Sequence, residues 1–364
     1  MSAKSKFSNV KISGIASIIP PIRKSIVDEI DLYGGDIKQI ERIRRRIGLD
    51  VRFVVDERTT SSDLCEYAAN IMFKSLSFNP EDIDALIFVS QTPDYFIPST
   101  SCYLHGKLKL SKDCAAFDVN LGCSGYVYGL WLSHLMIEAG SCRNVLLLAG
   151  DTISKCVNPK DRSAAPLFGD AGSATLIQRS EENKPAHFIL HSDGRGYDSI
   201  ILPAGGFRMP KSATTAKEIR DDENNVRSQE DLYINGSDIF SFAINEIPSA
   251  ISEILSFSDK KPEDIDHVIF HQANKYIIEN IARKIDFPME KIPSDIITKY
   301  GNQSCASIPV TICDSVCGKI AENKMVILAG FGVGLSWGTA VLSLDQIYST
   351  IEFYKGGEQN NEKR

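Results

Sequence analysis

The chain is predicted to be an α/β protein made of two similar βαβαβ halves. Three observations carry the prediction. The segment Pro80-Glu-Asp-Ile-Asp-Ala-Leu-Ile-Phe88 returns 182 residues later as Pro262-Glu-Asp-Ile-Asp-His-Val-Ile-Phe270, with seven of nine positions identical. Val145-Leu-Leu-Leu-Ala-Gly150 has a counterpart at nearly the same offset in Val326-Ile-Leu-Ala-Gly330. Around these repeats, short apolar runs alternate with amphipathic stretches, the pattern of buried strands joined by crossover helices. A chain of 364 residues that repeats at half its length reads as two related halves, 1–184 and 185–350, with a flexible tail at 351–364.

Residues 10–17 open the first half as a strand, and a charged stretch fills 23–56. Ser61, Ser62 and Asp63 offer N-cap chemistry to a helix that carries Leu64, Ala68, Ile71 and Met72 on one face. Residues 85–89 are a continuous apolar run, as in a strand buried on both faces. A helix at 98–107, a strand at 115–119, a long helix at 123–139 closed by Gly140, and a strand at 146–149 follow. This order implies a mostly parallel sheet with right-handed crossovers. The second half repeats it, with helices at 234–255, 276–285 and 302–320, strands at 267–270 and 325–329, and a closing strand at 339–344. Between the halves, 208–231 is dense in charge, Ser and Thr, and reads as an inserted surface excursion, with a flap as one form of it.

The balance of 40 basic and 47 acidic residues gives a net charge of −7, which argues against a nucleic-acid partner. The longest apolar runs, such as 145–149, are too short to cross a bilayer, and no apolar region follows Lys4 and Lys6. A cytoplasmic protein with no signal peptide and no membrane attachment is expected. Nine scattered cysteines, an odd count without a Cys-x-x-Cys pair, predict reduced thiols and no metal centre.

One cysteine stands apart. Cys123 lies where strand 115–119 turns into a helix, within Asn120-Leu-Gly-Cys-Ser-Gly125. A helix N-terminus offers free N–H groups and partial positive charge, so the thiol there is expected to have a lowered pKa. Gly122 and Gly125 allow a tight turn and close approach of a substrate. A buried cysteine at a helix start also serves plain packing. His271 follows the repeated strand directly, in Phe270-His-Gln-Ala-Asn274. Ligands of open α/β sheets gather at strand carboxyl ends, and imidazole exchanges a proton near neutral pH. The first repeat carries Val89 at that position, so the fold itself needs no histidine there.

Asn302 sits in Tyr300-Gly-Asn-Gln-Ser-Cys-Ala-Ser-Ile-Pro309, beside the start of the helix that the repeat pairs with the Cys123 helix. Asn is also an ordinary N-cap. The turn Phe331-Gly-Val-Gly-Leu-Ser-Trp-Gly338 lacks dinucleotide-loop spacing and leads into a strand, but its N–H groups can point into a site. Cys123 comes from one half, and His271 and Asn302 from the other. Papain-type proteases use the same three residue types, but their cysteine lies near the mature N-terminus and not in a duplicated parallel-sheet chain.

In this order the motifs resemble those of the β-ketoacyl-acyl-carrier-protein synthase III (KAS III) family of condensing enzymes. The resemblance spans residues 10–344. His271-Gln-Ala-Asn274, Gly301-Asn302 and Ala306-Ser-Ile-Pro309 are its most specific parts, supported by Phe168-Gly-Asp-Ala-Gly172 and the turn at 332–338. It implies a thiolase-like fold, five-layered α-β-α-β-α, in a homodimer. It also implies a ping-pong reaction with no cofactor, coenzyme A and phosphopantetheine thioesters being the substrates.

By the same resemblance, Cys123 would take an acyl group from an acyl-CoA. His271 and Asn302 would stabilise the enolate left when malonyl-acyl-carrier-protein (malonyl-ACP) loses CO₂. Backbone N–H groups of Cys123 and Val333 would hold the second oxyanion. Substrate contacts would come from Arg46, Arg162, Phe168, Ile97 and Asn274, with Ile97 reaching across the dimer. Lys275, Arg283 and Lys284 would dock the acidic carrier protein.

Several positions depart from the family pattern. Arg42 replaces a stacking Trp, and Tyr276 replaces a docking Arg. Leu121-Gly122 stands where small Ala residues are usual, Gln303 and Cys305 replace Thr and Ala, and 205–231 is longer than usual. The acyl donor, and fatty-acid initiation versus a specialised pathway, stay open. Two further readings remain. One is an acyltransferase using an oxygen or nitrogen nucleophile, and the other is a silent partner subunit binding acyl chains or carrier protein. A thiolase would need a second catalytic cysteine, for which only Cys305 is placed.

Overall fold

A computed structural model describes residues 3–316 and 323–356. Two sheets dominate it. The first runs in the order β17 (Tyr348–Phe353), β2 (Val10–Ile19), β8 (Ala171–Arg179), β7 (Asn144–Asp151), β5 (Ala85–Val89) and β6 (Ala115–Val119). The second runs β1 (Ala3–Phe7), β9 (Ala186–Ser192), β16 (Ser336–Leu344), β15 (Lys324–Gly332) and β14 (His267–Phe270). The repeated segments take equivalent places. β5 pairs in parallel with β7, and β14 pairs in parallel with β15.

The sheets are mixed, which corrects the expectation of a mostly parallel arrangement. β8 is antiparallel to both β2 and β7, and β16 is antiparallel to both β9 and β15. The connections dictate this. A parallel neighbour needs a crossover of a dozen residues or more, but only residues 333–335 link β15 to β16.

α4 (Gly125–Glu138) and α8 (Ser307–Thr311) lie between the sheets. Tyr126, Val127, Leu130 and Ile308 share one core with Ile87, Val89, Leu147 and Leu328. α4 is apolar on nearly all sides, as a helix covered by sheets on both faces must be. Alternate residues of β5 and β7 point the other way. Leu86, Phe88, Leu146 and Leu148 pack on α2 (Ser61–Leu76) and α3 (Thr100–Lys107). Val268, Phe270 and Ile327 pack on α5 (Gly236–Ser258) and α6 (Lys275–Ile285). The period-2 pleat thus builds five layers, with each buried Leu or Ile contributing about 1.5–3 kcal/mol.

Local signals hold with small shifts. Thr60, one residue before the predicted capping cluster, closes the box with Asp63 on α2. The helix expected from 302 begins as a tight turn at Ser304–Ala306, becomes α8, and loosens into a wide turn at Ile312–Val316. Its predicted end at 317–320 lies outside the described residues. α1 (Ile37–Ile47) and α7 (Ile296–Tyr300) share a side cluster of Tyr33, Ile40, Leu49 and Ile297 beside the hairpin of β3 (Ile22–Ser25) and β4 (Val51–Val54).

The division at residue 184 separates β8 from β9, but the terminal strands cross it. β1 pairs with β9, and β17 pairs with β2. Residues 351–353, expected in a flexible tail, are thus the end of a strand; 357–364 lie outside the described residues. Among the described residues no helix is long and apolar enough to cross a membrane.

Leu147 is fully buried in the central layer. Leu147→Ala is expected to lower the unfolding free energy by about 3 kcal/mol, read from the denaturant midpoint. A loss below about 1 kcal/mol would contradict a close-packed centre.

Candidate active site

Cys123 is placed by a tight passage from β6 into α4. Leu121 N donates to Val119 O at 2.9 Å and Gly125 N donates to Gly122 O at 2.7 Å, turning the chain before the helix starts. Both glycines are sterically required. A Cβ on Gly125 would meet Val89 Cγ1 at 2.5 Å, and one on Gly122 would meet Val333 Cγ1 at 2.9 Å. The end of β15 arrives from the other half, and a Cβ on Gly332 would lie 2.8 Å from Cys123 Cβ and 2.9 Å from its Sγ. Ser124 Oγ and Ser336 Oγ bond across the halves at 2.7 Å.

His271 leaves the end of β14, its N–H donating to Ala329 O at 2.8 Å. Its Nδ1 is 2.7 Å from Ser307 Oγ at the head of α8. Burial pushes the imidazole pKa down to about 3, with the Ser304 carbonyl acting in the opposite direction. The ring is therefore neutral at physiological pH. The tautomer in which Nδ1 accepts from Ser307 carries the ring N–H on Nε2.

Asn302 does not cap a helix. It forms a bridge with Phe168, with Asn302 N donating to Leu167 O at 3.0 Å and Gly169 N donating to Asn302 O at 3.1 Å. Its Oδ1 accepts from Ser304 N at 2.9 Å, and its Nδ2 donates to Ala273 O at 3.4 Å. An amide has two N–H bonds, so a second remains for a ligand.

Cys123, His271, Asn302 and Val333 line one cavity of about 380 Å³. The wall beside them is apolar, with Phe168, Ile153 and Leu232 packed together. Arg162, Asn274, Gln91 and Ser304 add polar groups. Asn274 also caps α6, accepting from Ile277 N at 2.8 Å.

The expected lowering of the Cys123 pKa is corrected. Burial pushes the thiol up to about 11. The Val333 N–H, the Ser304 hydroxyl and the Cys123 N–H oppose it. Desolvation outweighs the helix end because the sulfur faces a cavity enclosed by protein.

Other predicted residues lie elsewhere. Gln39, Ile43 and Ile47 form the cavity face of α1, four residues apart, which leaves Arg46 on its exposed side. Ile97 is 85% exposed and does not line the cavity, standing beside exposed Tyr95, Phe96 and Phe207. Lys275 and Arg283 both reach Glu279, at 3.9 and 3.7 Å, and Lys284 Nζ donates to Ile244 O at 2.9 Å.

The segment expected to be an inserted surface excursion is largely exposed, and its base is pinned. β11 (Ile219–Arg220) and β12 (Val226–Arg227) form a hairpin, and the short pair β10 (Ile200–Ile201) and β13 (Tyr233–Ile234) closes its base. Arg227 joins Asp221 to Asp161, while Asn158 Nδ2 reaches Glu218 and Asp231, both at 3.1 Å. This network buries Asn225 and makes it part of the cavity wall. Sequence reasoning missed Asn225, Ser304, Gln91 and Asp151. Asp151 ends a repeated strand, a signal that was present; Asn225 had none.

The site can form a thioester on a half-buried cysteine and offer two N–H donors to a developing oxyanion. Comparisons with known proteins point to one family. A sequence model of 3-oxoacyl-[acyl-carrier-protein (ACP)] synthase III matches residues 117–194, and the model of that family's C-terminal region matches residues 255–344. A beta-ketoacyl-[acyl-carrier-protein] synthase III of Clostridium perfringens is 34% identical over 339 residues, covering 92% of this chain and 99% of its own. A Campylobacter jejuni relative, provisionally given the equivalent name, is 40% identical over 347 residues, covering 95% of this chain and 97% of its own. The crystal structure of a 3-oxoacyl-(acyl-carrier protein) synthase from Burkholderia xenovorans superposes with a TM-score of 0.91 at 35% identity, covering 97% of this chain and 99% of that one.

Because the thiolate is the reactive form, alkylation of Cys123 by iodoacetamide is expected to rise about tenfold per pH unit between about pH 7 and 10. Peptide mass mapping reads it. A plateau by about pH 8 would contradict a thiol raised above its ordinary value.

Proposed function

The chain belongs to the 3-oxoacyl-[acyl-carrier-protein] synthase III family and is a condensing enzyme of the acyltransferase class, and we propose that it condenses an acyl thioester with malonyl-ACP to give a 3-oxoacyl-ACP. The expected acyl donor is an acyl-CoA. One observation carries the reading: Cys123, His271 and Asn302, drawn from both halves, line a single cavity.

In the first half-reaction, Cys123 Sγ attacks the acyl carbonyl carbon. The carrier thiol leaves with the proton that the cysteine gives up. The apolar wall of Phe168, Ile153 and Leu232 receives the acyl chain. In the second, the malonyl thioester loses CO₂, and the bond electrons become an enolate. The Nε2–H of His271 and the free N–H of Asn302 donate to its oxygen. Each such donor contributes about 3 kcal/mol in a dry, preorganised site. The enolate carbon attacks the acyl-Cys123 carbonyl, whose oxyanion is held by the N–H groups of Cys123 and Val333. Collapse releases the product and the Cys123 thiolate, which takes up one proton from solvent to restore the resting thiol.

Arg46, on the outer side of α1, is expected to meet the phosphates of coenzyme A, and Arg162, on the cavity wall, its adenine. Lys275, Arg283 and Lys284 on α6 offer positive charge to an acidic carrier protein. The exposed side chains of Tyr95, Phe96, Ile97 and Phe207 fit burial in a homodimer, where Ile97 could reach the partner's acyl site.

Incubation with acyl-CoA is expected to add one acyl mass to the intact protein, and Cys123→Ala is expected to abolish the addition. Asn302→Ala is expected to keep the loading but slow CO₂ release from malonyl-ACP by roughly 10²–10³. Equal loss of both steps would sink this division of roles.

A further inference from the structure

We propose that Asp151 serves as a neutral carboxylic acid that aims the Ser304 hydroxyl at Cys123, so that the two together position the nucleophile. The proposal rests on Cys123 being that nucleophile.

Asp151 ends β7 and is fully buried. Its two oxygens are treated unequally. Oδ1 accepts from Gln91 N at 2.7 Å, Ser90 Oγ at 3.0 Å and Thr92 Oγ1 at 3.1 Å. Oδ2 has no hydrogen bond of ordinary length. The side chains facing the carboxyl beyond this set are Ser304 and Cys305. Among the described residues Asp151 joins no ion pair.

The titratable groups beside it are four thiols and a carboxyl, with Lys155 and Lys211 next beyond, acting on Cys156. Cys65 comes from α2, Cys123 from the head of α4, Cys156 from the turn Ile153–Cys156, Cys305 from the turn Ser304–Ala306, and Asp170 from the approach to β8. An ionised carboxylate with one bare oxygen in such a place is costly. Burial accordingly raises the Asp151 pKa. Protonation on Oδ2 resolves the cost, since that oxygen has no donor of its own.

The proton then has one receptive neighbour. Cys305 Sγ already donates to Val89 O at 3.4 Å. Ser304 is free to accept at Oγ and to pass its own proton toward Cys123, whose thiol it faces. The backbone fixes this aim. Ser304 adopts a left-handed φ of 50°, uncommon for a residue with a side chain. Its N–H is held by Asn302 Oδ1 at 2.9 Å. The donor to Cys123 is thus tied to the same turn that presents the Asn302 amide. No net proton transfer is required, because Asp151 stays protonated throughout.

The test reads the thiolate itself, by the rate of iodoacetamide alkylation of Cys123 at one fixed pH near 8.5. Ser304→Gly suits the left-handed backbone and removes the hydroxyl. It is expected to slow alkylation about tenfold, one unit of thiol pKa. Asp151→Asn keeps an acceptor for Ser90, Gln91 and Thr92, and puts an N–H where the acid O–H stood. Its alkylation rate is expected to stay within about twofold of wild type. Rescue by this isostere separates a neutral acid from an ionised one, since loss of a negative charge beside the sulfur would speed alkylation. A faster Asp151→Asn, or a Ser304→Gly that alkylates at the wild-type rate, overturns the proposal. Acyl loading of the wild-type protein, read separately by intact mass, reports on the condensing-enzyme reading alone.

Discussion

The contact between Gly332 and Cys123 is the constraint on which the site depends. Two strand-end segments from opposite halves meet there with no room for a single side-chain carbon. That closeness brings the Val333 N–H to the sulfur and lets Ser124 bond Ser336. It also requires α4 to enter between the sheets at one depth, fixed by Gly125 against Val89. The central core and the reactive centre are therefore one packing problem. A shift of α4 that relieved the core would carry the sulfur away from its donors.

The price of enclosing the sulfur is visible in its neighbours. Burial raises the Cys123 thiol and lowers the His271 imidazole. Both shifts favour neutral forms, so the resting centre is an uncharged one built of oriented N–H and O–H groups. Such groups stabilise negative charge when it appears, without having to reorganise. The helix N-terminus still contributes, but in a protein-lined cavity it moderates a large desolvation instead of producing a free thiolate.

Much of this was legible in the sequence. The repeat at Pro80 and Pro262 located the paired strands, and the strand-end rule found His271. The glycines around Cys123 pointed to a tight turn, which the bond from Gly125 N to Gly122 O bears out. What escaped were features set by three-dimensional pairing. Strand direction followed from the length of the links, not from the alternation of elements. Arg46 was separated from the cavity by the rotation of α1, which a run of four arginines among residues 42–46 conceals. The pinning of the hairpin around Val226 escaped because its polar residues bond to one another and to Asp161, where composition alone suggests solvent.

The crossing of the terminal strands has a consequence for how the molecule comes into being. Ser17 sits opposite Ile351 in the finished sheet, so an edge of the first-made half stays open until the segment around Ile351 has been synthesised. Until then β2 exposes an open ladder of amides to whatever strand it meets. Synthesis of β17 seals that edge, and a chain interrupted before it would carry a largely complete reaction centre beside an unprotected, adhesive border.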